Sequence, residues 1–336
     1  LATTHAERVR PMQRTLTPPS RTGHGSALVG PMELTKRFLR AKNPCANGFR
    51  WFVRHIEDGV SYQQALDTLV QAGRVDDACW LLQQFGPTDE VLELEHLEAD
   101  AIVFAGSLYI RKHIEVGTLL RTGQHLRAGG SVRVGQQLHA GGDVWSGGGV
   151  RCEGPLHTGG DLRADWSVEA AQSIHCGGEL RVGGDLTGGA SLQVQGPASV
   201  KHDVVVRQGI TCQAGLRVGG LLHSGHSVQA GQGILVGQDI VCGMHLEAGW
   251  GIRAGGGISA QGAIRAGESL QAGSDIGAGP GYGVYAGLGV PINAWGSSGH
   301  VVAARKPGAL LSGHWAGPEA SSGNGPDALA DLATLG

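Results

Sequence analysis

The sequence predicts a mainly β protein, a three-sided parallel β-helix of 18 residues per coil with a small helical cap before it. Three observations carry this. An aliphatic residue recurs every six positions from 102 to 288, glycine makes up 59 of the 336 residues, and a helix-periodic segment precedes the repeat. Aromatics are 5% and prolines 13, so the glycine belongs neither to a collagen nor to a Pro/Gly-rich disordered chain.

Stepping by six from Ile102 reaches 32 positions, and 30 of them are Ile, Leu or Val; Ala198 and Tyr282 depart. Two residues after the aliphatic stands a small or β-branched residue, as at Ala128, Val134, Ala140, Cys152 and Ala164. Glycine usually follows, as at Gly129, Gly135 and Gly141. In a strand, residues i and i+2 share a face and i+1 points the other way. The aliphatic and the small residue therefore enter a core, the residue between them faces solvent, and glycine is expected to supply unusual backbone angles at a corner. Six residues make one side and one corner, and three sides close a coil. Two sides per coil is the alternative, but a triangle suits one large and one small inward residue per side. A single coil cannot bury its apolar residues, so stacking of coils builds the core.

Before the repeat, Ser61 is placed to cap a helix that Gly73 stops. A second helix carries Val75, Ala78, Leu82 and Phe85 and ends at Gly86-Pro87, and an earlier one runs from Cys45 to Ile56. The expected organisation is a disordered leader over 1–31, a helical cap domain over 32–96, the solenoid over 97–290, a C-terminal cap over 291–316 and a disordered tail over 317–336. Met12 and Met32 lie downstream of the first residue, Leu1, as alternative translation starts for a chain without the leader. No run of 18 apolar residues marks a membrane span, and no hydrophobic stretch marks a signal peptide. Six cysteines without a CxxC pair set a cytoplasmic expectation.

Repeats such as Gly160-Asp161-Leu162-Arg163-Ala164 and Gly184-Asp185-Leu186 resemble those of bactofilins, over residues 102–290. That resemblance implies a right-handed three-sided β-helix and a polymer-forming cytoskeletal role. Left-handed hexapeptide acyltransferases fit less well, because their small inward residue comes two before the aliphatic rather than two after. The stretch from Asn43-Pro44-Cys45-Ala46-Asn47-Gly48 to Trp80-Leu81-Leu82 resembles a helical module of uncharacterised bacterial and phage-borne proteins. Caps at both ends would hide open strand edges and weigh against end-to-end growth.

An 18-residue coil turns scattered outward residues into ladders. One ladder holds His139, His157 and His175, with Arg121 before and Gln193 after. Three histidines about 5 Å apart are weak metal candidates, because no acid or thiol completes the set; a solvated polar ladder is the plainer reading. A second ladder holds Arg127, Trp145, Arg163, Arg181, Arg217 and Arg253, with Tyr109, Ser199 and Leu235 in the same row. Arginine pairs with planar anions and tryptophan stacks on sugars or rings. This row is therefore a candidate face for an acidic glycan or other polyanion. Asp143, Asp161 and Glu179 stand two residues before Trp145, Arg163 and Arg181, and the pairs Asp161/Arg163 and Glu179/Arg181 would neutralise one another as a surface charge ladder. The same acids are the sole catalytic candidates, and glycosidases do use two carboxylates. Neighbouring arginines would, however, keep them ionised. Cys152, Cys176, Cys212 and Cys242 occupy the inward small position and are expected to be core thiols.

The functional expectation is a non-enzymatic solenoid scaffold or binding protein, with no cofactor and with a protein partner or self-association. A bactofilin-like polymer is one alternative, and polysaccharide binding or cleavage is the other. Net charge is −3, which offers no global basic field for nucleic acid.

Overall fold

A computed structural model describes residues 33–318. The expected leader over 1–31, and all but the first two residues of the expected tail over 317–336, lie outside the described residues.

Four helices come first: α1 (Lys36–Ala41), α2 (Ala46–His55), α3 (Tyr62–Gln71) and α4 (Val75–Phe85). Their ends follow local chemistry. Thr35 Oγ1 accepts from Phe38 N, and Cys45 Sγ from Gly48 N. Ser61 and Gln64 form a reciprocal capping box at the start of α3. Gly73 (φ 71°) and Gly86 (φ 80°) end α3 and α4 in the left-handed region, which only glycine enters freely. A two-residue antiparallel pair, Glu33–Leu34 with Val60–Ser61, ties the start of this domain to the entry of α3.

From Val91 to Trp315 the described residues form a β-solenoid of three parallel sheets with 11, 12 and 13 strands, with a short helical segment over 292–298. Face I runs from Leu97–Ala99 to Ile276–Ala278, face II from Ile102–Phe104 to Leu310–Ser312, and face III from Val91–Leu94 to His314–Trp315. Neighbouring strands are 18 residues apart over most of the length, as in Val144↔Leu162 and Leu162↔Leu180. Inward aliphatics such as Leu138, Leu156, Ile174 and Leu192 stack into one continuous buried core. Each such side chain contributes about 1.5–3 kcal/mol by leaving water.

The register loosens at both ends. Leu97 pairs with Ile114 and Leu92 with Leu108, so two strands precede Ile102 at steps of 17 and 16. Beyond Ile276 the six-residue count fails: Tyr282 and Leu288 are 46% and 56% exposed, and Val284 instead pairs with Ile264. The cause is the Gly279-Pro280-Gly281 turn, with Gly281 at φ 79°, which inserts two residues. The segment expected to lie over the last coil adds further strands, His300–Val302 on Leu270 and Leu310–Ser312 on Val284.

The corner glycines do not work as expected. No described glycine between Gly86 and Gly281 has a positive φ. At many corners glycine stands where the coil before comes too close for a side chain, although Glu153, Lys201 and Arg207 fill the same slot at other corners. A Cβ on Gly135 would lie 1.9 Å from the carbonyl oxygen of Gly117, one coil earlier. Other corners are tied by side chains. Asp143 Oδ1 accepts from Asp161 N (2.8 Å), and Asp161 Oδ1 from Glu179 N (2.7 Å). Asp203 and Asp239 do the same for Leu221 N and Gly257 N at another corner. Each carboxylate occupies the volume where the next coil would otherwise carry a Cβ: one built on Gly160 lies 2.1 Å from Asp143 Oδ1. The Gly-Asp-Leu text is therefore a corner device in which glycine admits the previous coil's acid, and the acid then receives an N–H.

At the N-terminal end α3 lies over the first strand of face II. The Gln63 side chain, 8% exposed, donates from Nε2 to Val103 O (3.1 Å) and accepts from Ala105 N (2.8 Å) through Oε1. One amide thus supplies both backbone partners that a preceding strand would have supplied.

Two outcomes follow. Gly160→Ala displaces the Asp143 carboxylate and should cost about 1 kcal/mol, as should Asp143→Ala. The double variant should cost no more than either alone, a coupling of about 1 kcal/mol readable by denaturant titration. Gln63→Leu strands two buried backbone groups and should cost about 1–3 kcal/mol in the same measurement.

Candidate functional site

Face II carries the histidine ladder. The rings of His139 and His157 stack at 4.5 Å between centroids, and those of His157 and His175 at 4.7 Å, with planes 25° and 4° apart. Stacked rings keep their nitrogens side by side at parallel edges and do not converge them on one point. Among the described residues no group of three or more His, Cys, Asp or Glu is arranged to hold a metal ion. His175 Nδ1 instead faces Gln193 Oε1 at 3.4 Å. The ladder's first member adjoins the helical domain through Arg121. The Arg121 charge partly offsets the effect of burial, which raises the Tyr62 hydroxyl and the Cys79 thiol. Burial, then the Arg121 charge, then His157 push His139 down to about 4. His157 is lowered too, by burial first and then by His175 and Arg121.

Face III carries the arginines, and the structure divides them. Arg127 lies over the Trp145 ring at 4.6 Å, so one face of that indole is already covered. Arg163 Nε approaches Asp165 Oδ1 at 3.4 Å rather than Asp161. The expected Asp161–Arg163 pair does not form because the Asp161 carboxylate is taken by the Glu179 N–H. The Glu179–Arg181 pair does form, at 2.7 Å. Arg217 and Arg253 have no ion pair with any other described residue. Asp143 lies 3.2 Å from His125 Nδ1 and accepts the Asp161 N–H.

The two unpaired arginines open into a groove of about 690 Å³ on face III. Its floor is the row Arg181, Ser199, Arg217, Leu235, Arg253 and Gln271. Each occupies the outward position of successive 18-residue strands. Trp250, at the corner before Ile252, lines one side and is 52% exposed; Leu235 on the floor is 40% exposed. Trp250 went unmarked in the sequence because it sits outside the strand triplets. Its signal was a large aromatic at a position that elsewhere on face III holds Gly, Gln, Ala or Glu, as in Gly178, Gln232, Ala214 and Glu268.

On face I, Arg151 reaches both Glu153 (2.9 Å) and Glu169 (3.3 Å). The four inward cysteines are buried, and their thiols bond corner carbonyls, as Cys242 Sγ does to His226 O (3.0 Å) and His245 O (3.2 Å). Burial raises all four thiol pKa values. Cys176 and Cys212 share face II two coils apart, about 9.6 Å and beyond disulfide reach. In the helical domain a smaller cavity of about 270 Å³ is lined by Leu39, Phe52, Trp80 and Asp76. Among the described residues no helix is long and apolar enough to cross a membrane.

The histidine ladder makes stability depend on pH. His139 titrates near 6.5 when unfolded and near 4 when folded, so the unfolded chain takes up the proton first and stability falls as pH drops from about 6.5 toward 4. Melting temperature followed over that window should fall less steeply in His139→Gln than in the unaltered chain.

Comparison with known proteins gives one family match. No curated protein and no solved structure matches the chain. Residues 32–85, which span the four helices, match the YdhT N-terminal domain family.

Proposed function

We propose that this protein is a non-enzymatic binding scaffold, a rigid solenoid that holds an anionic partner in the face III groove. The observation that carries the reading is the pair Arg217 and Arg253, two cations without ion-pair partners among the described residues, flanking Leu235 in that groove. On face I, by comparison, Arg151 is shared between Glu153 and Glu169. The carboxylates support a structural role over a catalytic one. Asp143 and Asp161 receive backbone N–H groups and Glu179 holds Arg181, so each is already engaged within the fold.

A bactofilin-like polymer is the reading this arrangement favours less. Growth by end-to-end stacking needs free strand edges, and Gln63 already occupies the backbone groups of the first face II strand. Assembly side by side, through faces or corners, is compatible with the scaffold reading. Trp166, 70% exposed at the corner between faces III and I, is a residue such contacts would use.

Binding of dextran sulfate at physiological salt, followed by calorimetry, tests the reading. The unaltered chain should bind, and Arg217→Ala/Arg253→Ala together should weaken binding by about a hundredfold. Absence of binding by the unaltered chain would sink it.

A further inference from the structure

We infer that the face III groove takes a linear acidic polysaccharide lying along the solenoid axis, with its carboxylates on alternate sugars. This rests on the anion-binding reading above and deepens it.

The argument is one of register. Adjacent coils stack about 4.8 Å apart, so Arg217 and Arg253 stand about 9.6 Å apart along the axis. The position between them is Leu235, a neutral and apolar side chain 40% exposed to the groove. The positions beyond are likewise uncharged, Ser199 before Arg217 and Gln271 after Arg253. The floor therefore alternates neutral, cationic, neutral, cationic, neutral, one step per coil. In an extended glycan whose successive sugars are turned over, a group carried by every second sugar returns to the same side once per disaccharide. That distance is about two coils. A carboxylate on each such sugar would meet a guanidinium, which binds a planar carboxylate through two parallel N–H groups.

The intervening sugar meets matching chemistry. Leu235 offers an apolar surface to the C–H face of a neutral pyranose. Trp250 on the side wall provides an aromatic plane for a second such face. Gln232, Ser269 and Gln271 line the same groove and can bond hydroxyls. At one end Glu179, bonded to Arg181, places a negative charge where the run of free cations stops. The site thus spans a few sugars rather than the whole face.

Other polyanions fit the spacing less well. An acidic peptide in extended form puts same-side residues about 6.8 Å apart, out of step with the arginines. A nucleic acid carries a phosphate on every nucleotide and would set a charge against Leu235.

The test compares three probes by calorimetry: a hyaluronan hexasaccharide (a carboxylate on alternate sugars), a hexagalacturonate (one on every sugar) and a short oligodeoxyadenylate. The unaltered chain should bind the hyaluronan hexasaccharide at least as tightly as the more highly charged hexagalacturonate, and the oligonucleotide more weakly than either. Arg217→Ala and Arg253→Ala should each weaken hyaluronan binding about tenfold, whereas Arg133→Ala on face I should not. Circular dichroism of each variant checks that the solenoid is intact. Affinity that simply rises with charge density across the three probes overturns the inference, as does hyaluronan binding that ignores both substitutions. Dextran sulfate binding without hyaluronan binding refutes the register argument and leaves the anion-binding reading standing. If neither binds, both fail.

Discussion

Parallel coils can hydrogen-bond to one another only if their corners are narrow enough to let the backbones approach, and the rest of this molecule depends on meeting that condition. At Gly135 the carbonyl of the coil before lies where a Cβ would be. At corners like this one glycine answers a packing requirement between coils and not a need for left-handed angles. Once the corners permit the approach, each strand of three residues gains a neighbour on both sides, and inward aliphatics such as Leu162 and Leu180 meet in register. A strand this short has no stability of its own; its hydrogen bonds and its buried area both come from the coils above and below.

The same closeness decides what polar side chains can do. A corner carboxylate reaches the N–H of the next coil, so Asp143, Asp161, Asp203 and Asp239 serve the backbone before they serve any ligand. Inward Ser146 and Cys242 likewise bond carbonyls at the corners, Ser146 Oγ to Gly130 O and Cys242 Sγ to His226 O. Only outward residues at the middle of a strand escape this demand, and there the ladder geometry takes over. On face II it stacks three imidazoles, and on face III it sets Arg127 on Trp145, pairs Arg163 and Arg181 with acids, and leaves Arg217 and Arg253 without an ion pair in the groove that Trp250 lines. The helical domain faces the same constraint at its own end, where a first coil has no predecessor: Gln63 stands in for the missing strand.

Much of this was legible beforehand. The 30 aliphatics at six-residue steps identified the solenoid, and the outward ladders of His139, His157 and His175 and of the arginines fell on the strands where the count placed them. The Ser61 cap and the Gly73 and Gly86 stops were also readable. The pairing of Asp161 was not, since its choice between Arg163 and the Glu179 N–H turns on the position of a backbone one coil away. Nor was the slip after Ile276, where a two-residue insertion at Gly279-Pro280-Gly281 moved the inward role from Tyr282 to Val284.

What the sequence determined by itself was the period, the inward or outward direction of the strand side chains from Leu108 to Ile276 and the identity of the three faces. Strand geometry alternates side chains by local covalent rules, so counting residues is enough. What only the tertiary structure decided was which charges are spent. Whether an arginine is paired, as Arg181 is, or free, as Arg217 is, depends on atoms 18 residues or more away and on the shape of a corner. It was that distribution, rather than the number of arginines, that reduced a whole face to one groove.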